Sequence, residues 1–579
     1  MSTDHDARTQ QQLNERIPMT TIFHARDFGT STDPQFDNTL PVFLALMACR
    51  EISGPSILAF DPGQYHFWPE NACEQQLWIS NNDSGLRRMI FPLTGMANFA
   101  IEGNGAEFMM HGAVSTFVID HSSNVLLRNF TIDWNISPTV TGQIQSTNGN
   151  TTVIKTDPLC WYRIEAGQLK VLTDGDETNA AGFIELGETT LAPAYQSGDV
   201  WGDHTSPWMN SFAEIEPGVI SFRAPEHRTL IAGNHIVFLR GDRNNPSIFV
   251  SESQDVTIEN VTVFRAPAMA FIAQRTENIH LDRFNVMFKP GRTQIVTATA
   301  DATHCVGCRG EITIKNCVFE GQLDDSGNVH GTYVLTVERL SDTQLLMARV
   351  HPQQIGVPFG GRGDALEFSE QHTMESVAHA TIESVTELNG NHFIATFSSS
   401  LDASITSGTV AENMSWIPNL TISGCTARRN RARGFLISTA GKVLVENNTL
   451  SPGGTGVLIP GECSGWFESG AVRDVTIRNN HFIDCNTSAW GRACIDVTPE
   501  IPGLASRKSP FHRNVVIENN TFETFDMGIV ALWSTDGATI RNNKIIRTTR
   551  FVPFGKQTEP FDLQNSQNVV LENNEFVVS

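Results

Sequence analysis

Ala298-Thr-Ala-Asp301-Ala-Thr-His304 is followed, 23 and 24 residues after its aspartate, by Asp324-Asp325-Ser-Gly-Asn328-Val-His330-Gly331. Three carboxyl groups and two imidazoles therefore stand one short interval apart. Carboxyls held close together raise one another's pKa and keep a proton in the cluster near neutrality. Inverting hydrolysis of a glycosidic bond uses such a pair: a protonated carboxyl donates to the leaving oxygen and an ionised one activates water, at ~6.5–9.5 Å separation. Two other readings fit the same residues. Clustered carboxylates also suit calcium, and an Asp-Asp pair by itself is commonly a solvated turn. Successive residues of a strand point to opposite faces, so Asp324 and Asp325 can share a site only at a bend. Ser326-Gly327-Asn328 supplies the turn chemistry for one.

The elements that must position these groups are written as repeats. Val443-Leu-Val-Glu-Asn-Asn448, Val475-Thr-Ile-Arg-Asn-Asn480, Val515-Val-Ile-Glu-Asn-Asn520, Ala538-Thr-Ile-Arg-Asn-Asn543 and Val569-Val-Leu-Glu-Asn-Asn574 each alternate apolar residues with period two and stop at paired asparagines. Weaker copies end at Asn129, Asn260 and Asn316. Such units predict the short strands of a parallel solenoid. Asparagine suits the corner because it tolerates the left-handed backbone region and its amide can bond to the same corner one rung away. The pairs recur every 23 to 40 residues, so some rungs carry loops. A 23-residue interval is too short for a four-stranded propeller blade. It equals the step from Asp301 to Asp324, and neighbouring rungs lie ~4.8 Å apart, so the three carboxylates are expected to converge.

The N-terminal part reads as strand, helix, strand, turn and strand from Asp27-Phe28-Gly29 to Ile57–Tyr65, with an apolar helix near Val42–Leu46. It resembles the start of pectin-lyase-like β-helices, where a short helix covers the open end of the core. The asparagine rhythm lapses over 137–250 and 331–417, where alternating stretches such as Thr152–Thr156 and His392–Phe397 predict inserted antiparallel β modules. The expected order is a polar tail (1–20), β-helix with its capping helix (21–136), first module (137–250), catalytic rungs (251–330), second module (331–417) and closing rungs (418–579). The fold class is thus all-β: a right-handed parallel β-helix with two inserted antiparallel, barrel-like modules.

Composition limits the partners. Forty basic against 63 acidic residues give a formal charge of −23, which argues against nucleic acid, whose phosphates are bound by Lys and Arg. The apolar stretch Leu40–Cys49 is about half of the ~20 residues that span a bilayer, so no membrane helix is expected. The first twenty residues lack a signal-peptide core. A cytoplasmic protein, or a secreted or periplasmic form freed of its leader, is expected. Cys305-Val-Gly-Cys308 has no second pair at zinc-ribbon spacing, and the ten cysteines read as small buried apolar groups.

Ala300-Asp-Ala-Thr-His304, Gly307-Cys-Arg-Gly310, Asp324-Asp325 with Asn328-Val-His-Gly331, Asn430-Arg-Ala-Arg-Gly434 and Trp466-Phe-Glu-Ser-Gly470 together resemble glycoside hydrolase family 110, the α-1,3-galactosidases. Asn129-Phe-Thr-Ile-Asp-Trp134 adds to the likeness, which runs from about Asn124 to the C-terminus. The resemblance implies a β-helix carrying β-barrel modules, no organic cofactor or metal, terminal α-galactosyl glycans as substrate, and inversion. It implies Asp324 as general acid, with Asp301 and Asp325 holding and deprotonating water.

Further candidates for substrate contact are His304, His330, Asn328, Arg309, Arg431, Arg433, Asp364, Glu367, Trp466 and Glu468. The histidines could orient a carboxylate, and Trp466 with Glu468 could form a stacking platform and an acceptor. Each also has a structural reading, as a buried hydrogen-bonder, a corner brace or a core ring. Two rival functions stay open. A polygalacturonase-like hydrolase or lyase would need cations for uronates, and the window 298–331 holds only Arg309 and Lys315. A non-catalytic glycan-binding β-helix would not need three acids together. The long insertions offer surfaces through which a homodimer could form.

Overall fold

The computed structural model describes residues 20–203 and 205–578; the expected tail lies outside them but for its last residue. Strands Gln254–Val263, Glu277–Val286, Arg309–Lys315, Pro418–Ser423, Lys442–Glu446, Asp474–Arg478, His512–Glu518, Thr535–Arg541 and Gln567–Glu572 pair in parallel, each with the next. A second parallel ladder runs from Ser115–Asp120 through Ile248–Ser251, Phe271–Gln274, Thr303–Val306, the start of Gly327–Arg339 and Phe435–Ser438, and on to Phe561–Asp562. These are the faces of a right-handed parallel β-helix. Period-two alternation sets its core: Val443 and Val445, Val475 and Ile477, Val515 and Ile517, then Ala538 and Ile540 stack inward, rung on rung. Each Val or Ile buried this way contributes about 1.5–3 kcal/mol.

The paired asparagines divide the corner's work. The first of each pair takes the left-handed backbone, with φ of 57° at Asn447 and 55° at Asn479, Asn519 and Asn542. The second is turned inward, and its amide donates to the next rung's amide oxygen: Asn448 to Asn480 at 2.9 Å, Asn480 to Asn520 at 3.0 Å, Asn520 to Asn543 at 3.1 Å and Asn543 to Asn574 at 2.9 Å.

Helix Thr39–Arg50 buries Val42, Ala45, Leu46 and Cys49 against the first rungs, as the N-terminal pattern predicts. No helix among the described residues is long and apolar enough to cross a membrane. The cysteines are free thiols, all buried except the half-buried Cys73.

Two antiparallel sheets interrupt the solenoid. The first, from Val140–Asn148 to His235–Arg240, closes around Phe183, Phe212, Phe222 and Phe238. The second grows from a rung. Strand Gly327–Arg339 pairs in parallel with Phe435–Ser438 through His330, then continues outward to pair antiparallel with Gln344–Ala348 and Thr409–Asn413. One strand thus carries the end of the acidic segment and the root of a module.

Candidate active site

Asp301 precedes strand Thr303–Val306, and Asp324-Asp325 precede strand Gly327–Arg339 on the next rung. The backbones are joined where the Ala302 N–H donates to the Asp325 carbonyl at 2.9 Å. The chain bends at Leu323 and Asp324, which lets consecutive aspartates face one cavity. The following rung holds that bend. Asn430 Nδ2 donates to the Asp324 carbonyl at 3.2 Å and to the Arg433 carbonyl at 2.7 Å, and Arg431 Nε donates to the Leu323 carbonyl. Gly434 closes this loop where a Cβ would fall 2.2 Å from the Gly456 carbonyl oxygen, so no side chain fits. Leu323 packs beneath with Ile184, Leu186, Val237 and Leu239 of the first module, tying the bend to that module's core.

One oxygen from each of Asp301, Asp324 and Asp325 lies within 4.8 Å of the other two. That is tighter than the spacing usual between the paired carboxyls of inverting glycosidases. All three line a cavity of about 490 Å³ with His304, Asn328, Arg431, Arg433, Trp466 and Glu468. Three guanidinium groups compensate the buried charge. Arg243 donates to Asp324 Oδ2 at 2.7 Å, Arg431 stands 3.2 Å from Asp324 Oδ1 and pairs with Asp199, and Arg433 donates through its side chain and its backbone N–H to the two oxygens of Asp325, each at 2.8 Å.

These contacts separate the three acids. Burial and the neighbouring Asp324 push Asp301 up to about 8. Burial also opposes ionisation of Asp324, but Arg431, Arg243 and Arg433 outweigh it and hold that carboxyl down at about 2. Asp325 is pushed up by burial and by the other two aspartates, against the pull of Arg433. Because Arg433 donates to both Asp325 oxygens, we read Asp325 as ionised and Asp301 as the group that keeps the proton.

Behind the aspartates, His304 Nδ1 lies 2.5 Å from Asp301 Oδ2, His304 Nε2 lies 2.9 Å from His330 Nε2, and His330 Nδ1 contacts the Gly331 carbonyl at 2.6 Å. Burial lowers both imidazoles, His304 to about 4. Glu468, on a short strand paired with Gly331-Thr332, accepts from Asn81 Nδ2 at 2.9 Å and lies 3.5 Å from His330.

The carboxylate trio and the set His304, His330 and Glu468 are each compact enough to be weighed as metal sites. Three guanidiniums around the first oppose a further cation. In the second, the two Nε2 atoms lie 2.9 Å apart, at hydrogen-bond distance, and are engaged with each other.

Three expected contacts lie elsewhere. Arg309 opens a strand of the other parallel sheet, where it donates to Glu277 at 2.7 and 2.9 Å and covers Trp416. Asp364 is turned into the second module, accepting from the Gly361 N–H and from Asn413 Nδ2. Glu367 sits half-buried on strand Ala365–Glu370 opposite Glu412. Conversely, Asn81, Asp199, Trp201, Arg243 and Trp490 line the cavity with no sequence motif to mark them. Asp199 and Arg243 come from loops of the first module or just after it, and Trp201 from the module's short strand Val200–Trp201. Solvent-facing tryptophans were the one available signal: Trp201, Trp466 and Trp490 remain 56%, 41% and 38% exposed around this cavity.

Residues 344–410 match the family described as GLAA-B beta-barrel domain II, within the second module. Over 570 residues the chain is 32% identical to Alpha-1,3-galactosidase B of Bacteroides thetaiotaomicron, spanning 97% of this chain and 92% of the relative. It is 35% identical over 543 residues to an Alpha-1,3-galactosidase B of Phocaeicola vulgatus, spanning 90% and 88%. Among solved structures, the Streptococcus pneumoniae surface adhesin PfbA aligns over 96% of this chain and 93% of its own at a TM-score of 0.45 and 11% identity. Identity of this extent along nearly the whole length means that the chain belongs to the α-1,3-galactosidases of glycoside hydrolase family 110.

Proposed function

We propose that the protein is an exo-acting glycoside hydrolase that releases terminal α-1,3-linked galactose with inversion. The convergence of Asp301, Asp324 and Asp325 on one cavity, in a chain of this family, carries the reading. The protonated Asp301 serves as general acid to the glycosidic oxygen. Asp324 and Asp325, kept ionised by Arg243, Arg431 and Arg433, hold and deprotonate the attacking water. This exchanges the roles of Asp301 and Asp324 that the resemblance implies, because a carboxyl clamped by two guanidiniums gives up its proton too early to donate it. Inversion is favoured over a covalent intermediate because the oxygens of Asp324 and Asp325 are engaged by guanidiniums and by the Arg433 backbone N–H. An oxygen so engaged keeps a second lone pair for water, but it is a poor nucleophile.

A neutral sugar fits better than a uronate, since each guanidinium in the cavity already has a carboxylate partner. The exposed tryptophan rims suit the apolar face of galactose. A second cavity of about 630 Å³ shares Arg433, Leu458, Trp490 and Glu500 with the first and continues to Arg492 and Trp533, giving space for the sugars beyond the cleaved bond. A panel of α-1,3-, α-1,4- and α-1,6-galactosides and polygalacturonate, assayed for free galactose and new reducing ends, tests the reading. Release from the α-1,3 linkage above the others is expected; cleavage of polygalacturonate alone overturns it.

A further inference from the structure

We infer that Asp301, His304, His330 and Glu468 form one proton relay that stores a single proton beyond the two ring protons and returns it to Asp301 after each turnover. The inference rests on the proposed role of Asp301, and its derivation is one of counting. The Gly331 carbonyl can only accept, so the 2.6 Å contact places a proton on His330 Nδ1. The 2.9 Å contact between the two Nε2 atoms needs a second, on one ring or the other. The 2.5 Å contact between His304 Nδ1 and Asp301 Oδ2 needs a third. Two neutral imidazoles supply only two.

The third proton has three places that satisfy every contact: on Asp301 with both rings neutral, on His304 as imidazolium, or on His330 as imidazolium. In the last case the charged ring has its Nε2 3.5 Å from Glu468 Oε1. Passing between the ends requires each proton only to cross the hydrogen bond it already occupies. If the third proton leaves, two lone pairs must face each other somewhere along the string, which draws a proton back in.

The charges around the string favour its Asp301 end at rest. Asp301 faces Asp324, Arg243, Arg433 and Glu468; His304 faces Glu468, Arg243, Asp324 and Arg433; His330 faces Glu468 and Asp301; and the fully buried setting disfavours an imidazolium on either ring. In turnover, Asp301 gives its proton to the departing sugar oxygen. Water gives hydroxide to the anomeric carbon and a proton to Asp324 or Asp325. That proton must return to Asp301 before the next cycle. One oxygen of Asp301 lies within 4.8 Å of an oxygen of Asp324 and of Asp325, so the proton re-enters the string at Asp301, where the lone pairs of Asp301 Oδ2 and His304 Nδ1 would otherwise face each other, while Glu468 steadies the imidazolium at the His330 end.

Neutron diffraction on the unmodified protein tests the count without reference to activity. Deuterium is expected on His330 Nδ1, between the two Nε2 atoms, and between Asp301 and His304. A map with His330 deuterated only at Nε2, or with two deuterons on the string, overturns the relay. Glu468→Gln tests the coupling. Loss of its charge should move the alkaline limb of kcat to lower pH by roughly one unit, whereas a role limited to packing would lower kcat equally at every pH and overturn the inference. Should that variant fail to fold, the neutron map decides alone.

Discussion

Replacing Asp301 by Asn tests the assignment of the acid by the chemistry of the leaving group. A carboxyl titrating near 8 is roughly 90% protonated at pH 7, whereas one at the ordinary 3.8 would be protonated about once in 1,600. Burial beside Asp324 therefore makes a proton available that a solvated aspartate could not offer. Asparagine preserves the shape, and its amide can still donate to His304 Nδ1, but it has no proton to give the glycosidic oxygen. General acid assistance is typically worth ~10²–10⁴-fold, or about 3–5 kcal/mol of barrier. On an α-1,3-linked disaccharide, whose leaving group is a poor sugar alkoxide, Asp301→Asn should lower kcat by that factor. On 4-nitrophenyl α-galactoside, whose phenolate departs without protonation, the loss should stay within about tenfold. Asp324→Asn and Asp325→Asn impair water activation and should lower both substrates alike. Purified variants compared on the two substrates at pH 7 give the answer directly. If Asp324→Asn spares the aryl galactoside while Asp301→Asn does not, Asp324 is the acid and the electrostatic reasoning fails.

Proton NMR of the first product should show β-galactose before mutarotation; α-galactose appearing first would establish retention. Trp533→Ala should raise KM several-fold for tri- and tetrasaccharides, through loss of about 1 kcal/mol of ring contact, while leaving the aryl galactoside within about twofold; equal effects on both would remove the second cavity from the substrate path. Because folded Asp301 titrates above its unfolded value, the folded chain keeps a proton that the unfolded chain releases between pH 4 and 8, so stability should fall as pH rises through that window. Asp301→Asn should flatten that part of the Tm profile, and an unchanged slope would show that Asp301 is not the group held up. Asn520→Ala removes contacts with Asn480, Asn543 and the Ile477 carbonyl and should cost about 3 kcal/mol in urea unfolding, against about 1 kcal/mol for Asn519→Ala, which loses only backbone tolerance.

The solenoid was legible because each rung repeats its own constraint: an inward Val or Ile every second residue, then one asparagine for the left-handed corner and one for the ladder. The bend at Asp324 was legible for a related reason, since two consecutive acids can share a site only if the strand stops before them. Arg243 was not legible. It reaches Asp324 from 81 positions away, and its loop, Gly241-Asp-Arg-Asn-Asn-Pro246, carries no period or motif that separates it from an ordinary surface turn. Arg309 misled for the opposite reason. It stands next to the acidic segment in sequence, but the chain has by then turned the corner into the other sheet, where Glu277 and Trp416 take its guanidinium.

The modules explain why a plain solenoid would not suffice. A bare β-helix places successive aspartates on adjacent rungs, but in solvent they would titrate close to ordinary values and none would hold a proton at pH 7. The first module and its exit loop bring Asp199, Trp201 and Arg243 over the trio, while the chain rooted at Gly331 and the strand paired with it bring Glu468. Those additions exclude water from the carboxyls and supply one guanidinium, Arg243, to Asp324, while Arg431 and Arg433 come from the loop of the following rung. The electrostatic separation of three chemically identical acids therefore comes from the insertions and the following rung together. Shortening a module should alter the pH dependence of catalysis before it disturbs the parallel core.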